Sequence, residues 1–137
     1  MTTIELLKKY LSEDEWNYSV LDSNVLGVSI RGDHSTYDIS IRLENENSTL
    51  LLNCNYCILI GNSMGKKAQI LEILNDVNDN SLYTKFYLTD KKNLVCSVEI
   101  ELSNTLLGSE AFLISLHTIS NNIDEVYPKI MKFIWAS

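Results

Sequence analysis

The stretch GNSMGKK, Gly61 to Lys67, has the outline of a phosphate-binding loop: two glycines, then lysine, after an apolar run and before a helix-like stretch. A Walker A loop holds four residues between its glycines, so that successive backbone amides curl round the phosphates, and places Ser or Thr after the lysine to bind magnesium. Here only Asn62, Ser63 and Met64 separate Gly61 from Gly65, and Lys67 stands where the hydroxyl belongs. The reading is a strand-to-helix connection with Ser63 as candidate N-cap, and no cofactor is expected.

CNYC, Cys54 to Cys57, has the spacing of a redox or zinc pair. A redox pair needs a helix N-terminus to lower a thiol pKa, and zinc needs two further ligands. This pair lies in an alternating segment, where residues three apart face opposite ways. Cys54 and Cys96 are therefore read as core residues and Cys57 as outward. His34 lies in the turn-forming GDHS and His117 off the apolar phase of the last helix, each without a local ligand or triad partner. Arg31-Gly32-Asp33 reads as a turn, and Asp38, Glu99 and Glu101 as carboxylates on a wet sheet face. No catalytic or metal residue is assigned.

These side chains must be carried by one core. The chain has 137 residues, 45% of them hydrophobic, enough for one domain over 1–137. Eleven basic residues against eighteen acidic give a net charge of −7, with no basic cluster to neutralise nucleic acid or an anionic membrane. The opening MTTIELLKKY lacks the marks of a signal peptide, no run reaches the about eighteen apolar residues of a membrane span, and three cysteines suit a reducing compartment. A cytoplasmic protein is expected.

Thr2 with Glu5 forms a capping-box pattern before Ile4, Leu7 and Leu11, predicting a helix that ends near 12–16. Three alternating segments follow, around Leu26–Arg31, Thr36–Glu44 and Leu50–Ile60, joined by RGDHS and ENENS, which predicts an antiparallel meander. A helix from about Met64 to Val77 carries Ile70, Leu71, Ile73, Leu74 and Val77, an arc of about 160° against the roughly 100° needed to pack on one sheet. Two further strands, Tyr83–Thr89 and Leu94–Leu102, precede a last element with Phe112, Leu116, Ile119, Ile123, Val126, Ile130 and Phe133 at helical spacing. That element is one helix kinked at Pro128, or two broken near Asn121 and Asn122. The class is α+β, in the order α-β-β-β-α-β-β-α.

The wide stripe on the middle helix assigns Leu71 and Ile73, at its opposite edges, to contact with a second copy of the chain. On the outer sheet side, Tyr83, Tyr87 and Val95 are candidates for a partner surface.

QILEILNDVNDNSLYTKFYLTDKKNLVCSVEIEL followed by GSEAFLISLHTISNNIDEVYPKI resembles the YbjN-like family of small bacterial proteins, through Leu74-Asn75, Val77-Asn78, Lys85-Phe86-Tyr87-Leu88 and Tyr127-Pro128. The resemblance covers the C-terminal half, with only the order of elements shared over Met1–Gly61. It implies the fold of type III secretion chaperones, a strongly curved antiparallel sheet packed against helices, often in a homodimer. Such chaperones bind segments of other proteins, while the YbjN-like group is described as regulators.

The functional expectation is a non-enzymatic protein-binding module of bacterial cytoplasm, a chaperone-like or regulatory adaptor, homodimeric. The alternatives are an immunity protein whose acidic charge steers it to a basic toxin, and a small enzyme with a site assembled from distant carboxylates or His117.

Overall fold

The structure is a computed structural model that describes residues 3–59, 67–81, 84–89, 93–102 and 108–135, without the side chains of 56–59 and 133–135. The elements are α1 (Thr3–Glu13), β1 (Tyr18–Asp22), β2 (Val25–Arg31), β3 (Thr36–Glu44), β4 (Thr49–Leu59), α2 (Lys67–Asp79), β5 (Thr84–Leu88), β6 (Asn93–Glu101) and α3 (Ser109–Trp135). The strands form one open sheet in the order β1-β2-β3-β4-β6-β5, every neighbouring pair antiparallel.

The expected meander is β2-β3-β4. The sheet holds six strands rather than the five expected, because Tyr18–Asp22 also pairs. Its sequence, YSVLD, sets Val20 and Leu21 side by side, and the register with β2 shifts between Val20 and Asp22, so the two-residue rhythm is broken where it would have been read. Ser23 and Asn24 make the joining turn, in which the Ser23 amide donates to Asp22 Oδ1 at 2.7 Å. The turn between β3 and β4 runs left-handed through Asn45, Glu46 and Asn47, at φ 52°, 56° and 69°. Both the Ser48 amide and its hydroxyl donate to the Asn45 carbonyl. Asparagine supports this conformation better than most residues because its short polar side chain bonds locally.

One face of the sheet is dry. Tyr37, Ile39, Ile41 and Leu43 of β3, Leu50, Leu52 and Cys54 of β4 and Leu94, Cys96 and Val98 of β6 join Leu7 and Leu11 of α1, Ile70 and Leu74 of α2 and the apolar stripe of α3 in a single core. α3 is one helix through Pro128, and Phe112, Leu116, Ile119, Ile123, Val126 and Ile130 along it are all buried. Pro128 has no amide to give the Asp124 carbonyl, yet packing of the stripe on both sides of it holds the helix together. α1 closes with Glu15 at φ 62°, the Glu15 amide donating to the Ser12 carbonyl at 3.1 Å and the Trp16 amide to the Leu11 carbonyl at 2.8 Å. That is a Schellman ending with glutamate in the position glycine usually holds. Thr2, the expected cap of α1, lies outside the described residues.

Candidate functional site

The outer sheet face is where register gathers polar side chains. Ser19 stands opposite Gly27, Gly27 opposite Ser40, Ser40 opposite Asn53, and Asn53 opposite Ser97. A row of short side chains thus crosses five strands and ends at Lys85, which pairs with Ser97. Ser29 and Asp38, also paired, flank it on one side; Val25, Arg42, Leu51 and Glu99 flank it on the other. Over part of this row lies an open groove of about 680 Å³, whose polar wall includes Asn17, Ser19, Thr36, Asp38, Ser40 and Asn55. Leu21 lies over Gly27 in the floor: a Cβ there would sit 3.1 Å from Leu21 Cδ1, and the exposed leucine would have to shift by a few tenths of an ångström.

Hydrogen bonds order the groove. Ser29 Oγ donates to Asp38 Oδ1 at 2.5 Å, Ser40 Oγ to the Asn53 carbonyl at 3.3 Å, and Asn53 Nδ2 to Asn55 Oδ1 at 2.6 Å. Asn53 Oδ1 is buried and accepts no bond among the described residues.

The two edges of the sheet differ. On β5, the amide of Phe86 donates to Asn78 Oδ1 at 2.8 Å, while Asn78 Nδ2 donates to the Phe86 carbonyl at 2.9 Å. One side chain from α2 thereby gives Phe86 the two bonds that a neighbouring strand would give. The Thr84 amide donates to Ser81 Oγ at 3.2 Å, and Lys85 Nζ donates to the carbonyls of Asn78 and Ser81. At the opposite edge β1 pairs, among the described residues, with β2 alone, and it carries the two most exposed large apolar side chains of those residues, Val20 at 58% and Leu21 at 61%.

Cys54 and Cys96 are buried thiols directly paired across β4 and β6. Burial first, and Cys54 beside it, push the Cys96 thiol far above its usual range, so it is a packing residue and no nucleophile. His34 is exposed and stacks on Tyr127, and His117 is exposed with its ring against Trp16, so each has an aromatic neighbour that sequence reading did not supply. Glu101 accepts a hydrogen bond from Thr49 Oγ1 at 3.2 Å, Glu99 is exposed, and Arg42 pairs with Glu44 at 4.0 Å. Among the described residues no group of three or more His, Cys, Asp or Glu side chains is placed to hold a metal ion.

Leu71 is 42% exposed and Ile73 half-buried on α2. Tyr87 is 45% exposed. Val95 points outward, opposite Tyr87, but at 2% exposure it offers a partner no surface. The correction lies in position along β6: Ser97 is half-buried and Glu99 exposed on the same outward side, while Val95 faces the stretch where β4 and β6 change register between Cys54 and Ile58. Tyr83, Gly61–Gly65 with Ser63, and the Cys57 side chain lie outside the described residues. The groove escaped sequence reading because it depends on which strands are neighbours, and the role of Asn78 because it depends on how α2 sits against the edge of β5.

An open, fully antiparallel six-stranded sheet covered on one face by helices, the last of them long, defines a type III secretion chaperone-like fold. Three solved structures share it. YbjN of E. coli, described as "a putative transcription regulator", superposes with a TM-score of 0.66 at 16% identity over 91% of each chain. A chain of the ExsC–ExsE complex gives 0.57 at 14%, over 92% of this chain and 94% of that one. An uncharacterized protein from Methanothermobacter thermautotrophicus gives 0.60 at 20%, over 97% and 96%. No curated protein sequence matches the chain. The model of the YbjN family, described as "putative bacterial sensory transduction regulator", matches residues 3–130, and the chain belongs to that family.

Proposed function

We propose that this chain is a non-enzymatic protein-binding module of the bacterial cytoplasm, a chaperone-like or regulatory adaptor that takes an extended segment of another protein along β1. The carrying observation is the asymmetry of the sheet edges. An edge strand presents unpaired backbone groups that template a further strand, and proteins usually blunt such edges. Here β5 is capped by the Asn78 side chain, whereas among the described residues no side chain caps β1, which is interrupted by its register shift alone and leaves Val20 and Leu21 exposed. Strand addition would draw affinity from main-chain hydrogen bonds and selectivity from alternate side chains. The likeness to a chain of the ExsC–ExsE complex supports the reading at the level of fold. No helix among the described residues is long and apolar enough to cross a membrane. In the same proposal the chain is a homodimer through Leu71 and Ile73, and Tyr87 extends the partner surface.

The test is affinity capture from native cells with the wild-type chain and with the double variant V20K/L21K, reading retained proteins by intact mass. A species held by the wild type and lost by the variant is the expected result. Equal retention by both, or nothing retained by the wild type, removes the edge-strand reading.

A further inference from the structure

We infer that the outer-face groove is a binding site for an organic cation, with a guanidinium or ammonium head seated on Asp38. The inference goes beyond the edge-strand reading and stands whether or not β1 takes a segment. At about 680 Å³ the groove has the size of small-molecule sites, which run from roughly 300 to 1,000 Å³. Its described lining is made of hydroxyls, amides and apolar groups, and Asp38 is the single charged side chain among them. An anionic ligand would find no counter-charge there, while a cation finds one, within a protein of net charge −7 whose field draws cations in.

The hydrogen-bond account points the same way. Ser29 occupies Asp38 Oδ1 and orients the carboxylate; among the described residues Oδ2 receives no donor and the carboxylate has no ion-pair partner. The free Oδ2 of Asp38 is thus the one charged acceptor that the described lining offers a ligand. Guanidinium and ammonium groups are donors only, and a planar guanidinium matches a carboxylate held at one oxygen. Ser19 and Ser40, neither longer than a hydroxymethyl group, leave room for the rest of the ligand, with Leu21 lying over Gly27 as an apolar wall.

The experiment is a ¹H–¹⁵N NMR titration of the whole chain with agmatine, with the peptide acetyl-Ser-Arg-Ser-amide, and with the same peptide carrying citrulline, the neutral counterpart of arginine. Saturable shifts at the amides of Ser29, Asp38, Ser40 and Asn53 are expected from the cations, with D38N weakening them at least about tenfold. Asp38 is exposed, so D38N keeps the fold, and S40L provides a second variant that fills the floor without altering charge. Saturation by agmatine identifies a free small cation as the ligand class; saturation by the arginine peptide alone identifies a partner's side chain; both support the site. The inference is overturned if no cation saturates below about 20 mM, if the citrulline peptide binds as well as the arginine peptide, or if D38N binds unchanged. Loss of this binding leaves capture along β1 untouched, so the two readings fail separately.

Discussion

Asp124 Oδ1, on the last helix, accepts a 2.6 Å hydrogen bond from the phenol of Tyr37, across 87 residues of chain. The same carboxylate accepts the backbone amides of Asp33 at 2.8 Å and His34 at 3.0 Å, so it holds the turn that joins β2 to β3. His34 completes the join by stacking on Tyr127, with ring centroids 5.9 Å apart and planes 6° from parallel. The Arg31-Gly32-Asp33 letters are thus part of a latch between hairpin and helix.

Removing the carboxylate leaves two backbone amides and a phenol to find water. D124A is expected to cost about 1–3 kcal/mol in urea unfolding, with the midpoint falling and the slope unchanged. Burial alone would raise the Asp124 pKa, but the bonds from Tyr37, Asp33 and His34 and the nearby His34 charge together lower it below its ordinary 3.8. Because the folded value is the lower one, the stabilisation is complete above the unfolded value. It is lost as pH falls through the folded one. Thermal melts of wild type against D124N across pH 5 to 2 should therefore converge toward the acid end, and a gap that persists there would show the latch does not depend on ionisation.

Gly32 is what lets the carboxylate come so close. A Cβ at this position would lie 2.6 Å from Asp124 Oδ1 and 2.8 Å from Tyr37 Cε2. G32A must push the latch apart, and a loss of about 1–3 kcal/mol is expected from that overpacking. The double variant G32A/D124A separates the causes: if the alanine acts by displacing Asp124, it should add much less to D124A than to the wild type.

How much of this was legible before the fold was known follows from which relations are local. The alternation of Tyr37, Ile39, Ile41 and Leu43 is a property of one segment, and the buried face of β3 is the face it marks. The spacing of the α3 stripe likewise announces its buried side. The pairing of Ser40 with Asn53, of Cys54 with Cys96 and of Asp124 with Tyr37 is a relation between segments, and no period contains it. β1 was hidden because adjacent Val20 and Leu21 spoil its rhythm. Val95 had its direction foretold and its burial missed, since direction belongs to the strand and burial to its neighbours.

Glu15 ends α1 at φ 62°, a conformation that costs a residue with a Cβ and is free to glycine. Since the Glu15 side chain is exposed, E15G should relieve the strain without removing a packed group. A gain of up to about 1 kcal/mol is expected, reduced by the greater freedom of glycine in the unfolded chain. A lower melting temperature for E15G would mean that the glutamate side chain contributes something the left-handed cap does not explain.

Asn78 substitutes for a strand at β5. N78A leaves the Phe86 amide and carbonyl without their partners, at an expected cost of about 1–3 kcal/mol, and N78D restores only the bond from the amide. Hydrogen exchange at the Phe86 amide reads the change directly: faster in N78A, near wild type in N78D. Uncapping also creates a second open edge, so N78A should associate at concentrations where the wild type does not, measurable by light scattering.

The proposed dimer rests on α2, whose buried residues are Ile70 and Leu74 while Ile73 and Val77 are half-buried and Leu71 is 42% exposed. The inner positions belong to the monomer core, so substituting them would confound folding with assembly. Leu71 is outside that core, and L71E places a charge where a second copy is proposed to sit while leaving the monomer packing intact. If the wild type is a dimer at micromolar concentration by light scattering, L71E should shift it to monomer with its melting curve at low concentration nearly unchanged, because an exposed substitution costs within about 0.5 kcal/mol. A wild type that is already monomeric, or an L71E chain that still dimerises, would overturn the proposed contact. The two results differ in consequence: the first removes the dimer, and the second sends the search to the other exposed apolar side chains of the described surface, Val20 and Leu21 on β1 and Ile114 on α3.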